Sequence, residues 1–450
     1  MPVTDLRTSA QFGPWLEEYA AFAARLPANE PSAVAQLRHR AIAAFTESGF
    51  PSPDREEWRF SDITPIAATA YRRATRAESE LSPVDVVPFS YVECNELVFI
   101  NGHFAPTFSS RCELPEGAAV GNLADALTTH PEKVQSHLGR YAAFETNAFA
   151  ALNTAYLRDG AFIYVPRDTV IREPLHVLYL STGADEPTLS YPRTLLIAGE
   201  NSEVVLVESY AGTSESAYLT APVTEIVAGE GAHIEHYRIQ HESPVASHLS
   251  TSQFYCSGSS RVSSQSMSFG GAFVRNEVGA VLLGEGAEAE LNGLYVLNDS
   301  QFLDNHLTVD HTRAGCSSYQ LYKGILEGSA RSVFGGLIHV HPGAQQTDAA
   351  QENRNLLLSP EATALSMPQL EIFADDVRCT HGSTVGELDE DALFYLRSRG
   401  IGVEAAMSLL IYAFAGEFID RIAFRPVRKT LERFIVNRLP QGEIVRQGVS

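Results

Sequence analysis

Cysteine is scarce in this chain: Cys94, Cys112, Cys256, Cys316 and Cys379 are the five in 450 residues, and none forms a Cys-x-x-Cys pair. That spacing excludes the common zinc-ribbon and dithiol redox motifs. Sparse, scattered cysteine is also the usage of a reducing compartment, so free thiols in a cytosol are expected. Positive charge is short as well. Lys+Arg 33 stand against Asp+Glu 55, a formal net charge of -22, and neither nucleic acid nor an anionic membrane surface is expected as a partner, because both demand basic surface. No apolar run reaches bilayer length; the longest, about Ala405 to Gly416, is too short to span. The opening MPVTDLRTSA has no basic segment followed by an apolar stretch, so no secretory signal is read and a cytoplasmic location is expected. Also missing are the G-x-x-x-x-G-K-[ST], H-E-x-x-H and G-x-S-x-G patterns, which removes the usual signals for nucleotide hydrolysis, zinc proteolysis and serine hydrolysis.

What is present is a long chain, 44% hydrophobic, able to bury a large core. Its pattern changes twice. Trp15, Tyr19 and Phe22 recur at helix spacing, as do Leu37, Ile42 and Phe45 before a stop at Gly49-Phe50-Pro51, so 1–96 reads as a helical N-terminal domain with a linker. Over 97–387 the pattern becomes short alternating runs such as Val204 to Val207 and Leu291 to Val296, punctuated by Gly, Ser and Asn. Turns of one kind return irregularly: Ile197 to Ser202, Ile226 to Ala232 and Leu282 to Ala287. Stacked β-helix coils repeat in this way, each burying its apolar face on the next; a sandwich with long hairpins is the rival. The fold class read from this is mainly β, a parallel β-helix core between small helical ends.

From 388 to 450 the helical period returns. Asp389 is placed as an N-cap, Glu390 and Asp391 put negative charge in the first turn, Arg397 and Arg399 put positive charge in the last, and Gly400 ends the helix. Met407, Ile411, Phe414 and Phe418 form a stripe that reads as packing within this helical unit. The polar segment Gly382 to Glu387 reads as the link that separates it from the central stack.

Several arrangements are weighed for chemistry. Gly284-Glu285-Gly286-Ala287-Glu288-Ala289 matches a loose dinucleotide fingerprint, but the residues after it alternate and are broken by Asn292-Gly293, so a β-turn is expected. Cys379-Thr380-His381 is the sharpest: on a strand, residues two apart share a face about 6 to 7 Å apart, so a thiolate and an imidazole can meet one metal or cluster. Two ligands do not complete a zinc or iron-sulfur site. The rest would come from another segment or chain, and a packed cysteine beside a surface histidine remains the simpler reading from spacing alone. His339 and His341 are a weaker metal pair, as are Asp304 and His306. His233, His236, His241 and His248 do not share a face and read as solvent-facing or locally hydrogen-bonded.

The stretch from Asp375 to Ile401, DDVRCTHGSTVGELDEDALFYLRSRGI, resembles the C-terminal signature of the SufD family, and Gln351 to Ala374 resembles the segment before it. Glu56-Glu57-Trp58-Arg59-Phe60-Ser61-Asp62-Ile63 is similar to the family's N-terminal counterpart, and Asp304 to Leu326 to its middle. The Cys-Thr-His-Gly-Ser-Thr-Val-Gly run favours SufD over the paralogous SufB. The resemblance implies a right-handed parallel β-helix between helical ends that pairs with SufB through the β-helix and binds the ATPase SufC through the C-terminal helices, around Arg397, Arg399, Gly400, Ile401 and Gly402. It implies a scaffold rather than an enzyme, with no tightly bound cofactor on the isolated subunit. A transient iron-sulfur cluster, or iron, would form at the SufB interface near His381 and Cys379. Alternatives of other classes are a β-helix polysaccharide lyase or hydrolase using groove carboxylates, and a homodimeric scaffold that pairs with itself when isolated.

Overall fold

The computed structural model describes residues 9–26, 30–74, 81–92, 95–213 and 215–449. Helices Ser9–Ala23 and Ser32–Ser48 open the chain. The second stops where the sequence says it should, at Gly49, whose φ of 64° lies in the left-handed region that favours glycine. Three short helices, Leu123–Thr129, Pro131–Gln135 and Ala148–Ala155, interrupt the stretch read as strands.

From Leu175 onward the chain winds as a parallel β-solenoid of about eight turns, and strand exceeds helix at 39% against 26%. One wall runs through Arg193–Ala198, Val223–Ala228, Ser247–Cys256, Phe273–Leu282, Phe302–His311, Arg331–Val340 and Thr363–Ile372. The other runs through Leu175–Ser181, Glu203–Gly212, His233–His241, Arg261–Ser268, Glu288–Leu297, Ser317–Leu326, Thr347–Leu357 and Val377–Gly386. Short of the last coil, each strand pairs in parallel with the strand one coil before and one coil after, as Asp310 does with Val281 and His339. A sandwich joined by hairpins is thereby excluded, since hairpin neighbours are antiparallel. Gly284 and Gly286 sit in a turn of this stack rather than in a nucleotide loop: a Cβ on Gly284 would strike the Gly258 backbone of the coil below, and Gly286 has φ 69°.

Alternate residues point into the solenoid. Leu206, Ile234, Val262, Ala289, Leu291 and Leu326 belong to its apolar core. Three histidines inside are paired with carboxylates: His236 contacts Glu208 at 2.8 Å, His248 contacts Glu242 at 2.6 Å, and His176 contacts Glu96 at 2.7 Å. His236 and His248 are therefore the hydrogen-bonded histidines of their group, while His233 and His241 face outward.

Both helical ends lie on the solenoid. Trp15, Phe45, Phe50 and Trp58 share a core with Phe149, Leu219, Val223 and Leu249. The segment Glu56 to Ile63 is pinned further in. Arg275 donates to the Glu57 carbonyl at 2.9 Å and pairs with the buried carboxylate of Asp304, which also accepts from Ser61. Asp304 and His306 are consequently not a free metal pair, because Asp304 already neutralises Arg275. At the other end Ile411 and Phe418 are buried, but their partners are Tyr237, Ile239, Met267, Leu294 and Ile325 on the outer face of a solenoid wall. The stripe packs on the sheet and not only within the helical unit. Nor is Gly382 to Glu387 a link: through Gly386 it is the last strand.

Cysteine chemistry also departs from expectation at one position. Cys112 is disulfide-bonded, whereas Cys256, Cys316 and Cys379 are free thiols; Cys94 lies outside the described residues.

Candidate functional site

The two ends of the solenoid differ. At its start, Ala119–Asn122 pairs antiparallel with Ala161–Val165, and His103–Phe104 pairs antiparallel with Glu96–Ile100. At its finish, Thr363–Ile372 and Val377–Gly386 are the last strands of their walls, each hydrogen-bonded to a neighbour on one side only. Two ten-residue edges thus present unpaired N–H and C=O groups, the feature that monomeric proteins ordinarily cover or interrupt. Ile372, Phe373 and Val385 add exposed apolar surface there, at 39%, 60% and 46%.

Cys379 and His381 stand on this last strand. In register, Cys379 faces Ala349 and His381 faces Gln351. Ala349 and Gln351 are buried and inward, so Cys379 and His381 share the face that looks along the uncovered end of the solenoid interior. Cys379 packs against the cluster of Ile338, Val340, Ala344, Ala349 and Ala374. Burial there, and then the Asp348 carboxylate, push its thiol above the ordinary range. His381 is exposed. Gln351 is fully buried and its Oε1 has no hydrogen-bond partner, while its amide nitrogen donates to Gln320 at 2.7 Å. The structure places a thiol and an imidazole on one face of an open edge strand; among the described residues no group of three metal-ligating side chains includes them.

His339 and His341 lie away from this strand, on the outer face of the wall. There they meet Asp310, a residue that sequence reading did not connect to them. Asp310 precedes His339 by 29 residues, one coil.

The residues around the C-terminal turn fold as the sequence reads. Asp389 accepts from the N–H groups of Asp391 and Ala392 at 2.9 and 3.2 Å, capping the helix Glu390–Ser398. Gly400, with φ 86°, and Ile401 return hydrogen bonds to Arg397 and Leu396. Arg397, Arg399, Gly400 and Gly402 are exposed and Ile401 is half-buried. Phe394 and Tyr395, 71% and 56% exposed, extend the same surface. Adjacent aromatics on a helix cannot both face its core, so the pair was a legible sign of an uncovered face.

Residues 179–414 match the family model described as the SUF system FeS cluster assembly SufBD core domain, and 12–177 match that of the SufBD protein N-terminal region. The chain belongs to the SufBD family. It is 30% identical over 420 residues to an iron-sulfur cluster assembly SufBD family protein of Synechocystis, covering 92% of each chain. It is 29% identical over 399 residues to the iron-sulfur cluster assembly protein SufD of Escherichia coli, covering 88% of this chain and 90% of that one. It is 31% identical over 417 residues to a chloroplastic protein of Arabidopsis thaliana, ABCI7, covering 90% and 86%. These similarities support a SufD-like member of the family, whose field is iron-sulfur cluster assembly. Among the described residues no helix is long and apolar enough to cross a membrane.

Proposed function

We propose that this SufBD protein is the SufD-type scaffold of a cytoplasmic iron-sulfur cluster assembly complex, pairing with SufB along its open solenoid edge and holding SufC on its C-terminal helices. The observation that carries the reading is the last strand, Val377–Gly386, which is unpaired on one side and presents Cys379 and His381 on one face. A second solenoid laid against that edge satisfies its backbone and covers Ile372, Phe373 and Val385. The nascent cluster is then cargo at a seam. One subunit supplies His381 and Cys379 and the other the remaining ligands, an incomplete set on each side that keeps the cluster transferable.

For SufC, the exposed surface of Phe394, Tyr395, Arg397 and Arg399 with the turn Gly400-Ile401-Gly402 combines aromatic anchors with arginine, the composition of interface hot spots. The role is scaffolding, with iron or the cluster as transient cargo. Co-expression with SufB and SufC followed by native mass spectrometry tests it. One copy of this chain is expected with SufB and SufC, and Val385→Arg is expected to release SufB while SufC stays bound. Retention of SufB at unchanged stoichiometry in that variant overturns the edge assignment.

A further inference from the structure

His339 and His341 flank Val340, whose side chain points into the solenoid and is fully buried, so the two imidazoles stand on the outer face of the wall. Their ring centroids are 4.2 Å apart. Asp310, the register partner of His339 one coil earlier, places Oδ1 3.0 Å from His339 Nδ1 and 3.7 Å from His341 Nε2. One donor atom from each of the three residues lies within 4.8 Å of the other two. All three side chains are part-exposed, between 28% and 40%, so the space between them is open to an ion from solvent.

The contrast with other acidic groups is informative. Asp304 is buried under Arg275, and Glu208 and Glu242 each serve one buried histidine. Among the described residues Asp310 forms no ion pair with lysine or arginine; its ion-pairing neighbours are the two imidazoles. Phe373 packs edge-on against His339 at 5.6 Å, restricting the ring. On the other side of His339, Glu371 is its register partner in the next strand and is exposed, so a second carboxylate stands one strand spacing away.

We propose that Asp310, His339 and His341 bind a divalent first-row transition-metal ion, with Glu371 as a fourth ligand. Two imidazoles and a carboxylate suit Zn2+, Co2+ or Fe2+, and the absence of thiolate among these four donors disfavours Cu+. The site is distinct from the Cys379 strand, although Glu371 stands on the neighbouring edge strand Thr363–Ile372. Val340 belongs to the apolar cluster that Cys379 packs on, so the wall itself stands between the two. The proposal does not rest on the edge assignment.

The test uses the full chain, stripped with chelator and titrated anaerobically with Co2+, then with competing Zn2+. One equivalent of Co2+ with visible ligand-field bands is expected, displaced by Zn2+. His339→Ala, His341→Ala and Asp310→Asn each weaken binding by about tenfold or more, and Glu371→Gln by less. Cys379→Ser with His381→Ala leaves the bands unchanged. Unaltered Co2+ affinity in a folded His339→Ala/His341→Ala protein overturns the site, as does loss of the bands in the Cys379→Ser/His381→Ala protein. Zn2+ should also raise the thermal midpoint of wild type and not of His341→Gln, a milder change at a part-exposed position; equal stabilisation of both also overturns it.

Discussion

The guanidinium of Arg275 lies over the Trp58 ring, 3.7 Å from its centroid. It is 2% exposed in its side chain and also pairs with Asp304 and Glu277. One residue of the solenoid wall therefore holds a tryptophan of the N-terminal segment, a backbone carbonyl of that segment and a carboxylate of the next coil.

Arg275→Ala leaves the buried Asp304 carboxylate with only Ser61 and His306 beside it, and losing one partner of a buried pair costs about 3–5 kcal/mol. The variant should unfold earlier in denaturant than Trp58→Phe, which retains an aromatic face. A Trp58→Ala/Arg275→Ala cycle should show coupling of about 1 kcal/mol or more. Additive effects would mean that the stacking contributes nothing of its own.

At the open edge, His381→Ala removes an exposed ring and should leave thermal unfolding unchanged within about 0.5 kcal/mol. Cluster yield on the reconstituted complex should fall. Cys379→Ser should fall less, because burial and Asp348 push its thiol pKa up. Normal yield from His381→Ala removes that residue from the site.

Ending the chain after Leu388 uncovers Tyr237, Ile239, Met267, Leu294 and Ile325. A contiguous apolar face of that kind drives association, so the truncated protein should aggregate on expression. Phe394→Glu with Arg397→Glu changes only exposed positions and should remain soluble while failing to retain SufC in a pull-down. A soluble, monomeric truncation contradicts the packing argument.

His311 is buried, with Ser318 Oγ 2.9 Å from Nε2, and burial pushes its pKa from 6.5 to about 4. An unfolded histidine takes its proton near 6.5 and the folded one only near 4, so between these values the unfolded state binds more protons. Stability is therefore lost as pH falls through that window, by at most about 3 kcal/mol from this group, and its contribution is constant below it. His311→Gln should flatten the acid limb of the stability profile over pH 6.5 to 4. An unchanged limb would assign the acid sensitivity to other groups.

Features set by neighbours in sequence were legible. Asp389 as a cap, Gly400 as a stop and Gly284 as a turn each depend on a few consecutive residues. The two-residue spacing of Cys379 and His381 likewise fixed their shared face. Contacts across coils were not legible, because coil length varies. Asp310 reaches His339 over 29 residues, Ser317 pairs with Asp348 over 31 and Arg331 with Thr363 over 32. Without a constant period nothing in the string marks Asp310 as the partner of two histidines, or Asp304 as the partner of Arg275. The stripe from Met407 to Phe418 was correctly apolar, yet an apolar stripe does not say what covers it.

The start of the solenoid ends in short antiparallel strands, His103–Phe104 and Ala119–Asn122, whereas its finish offers two ten-residue parallel edges. On the proposed edge pairing, an added strand gains most of its backbone hydrogen bonds at the finish, so a partner solenoid is directed to one end of the molecule.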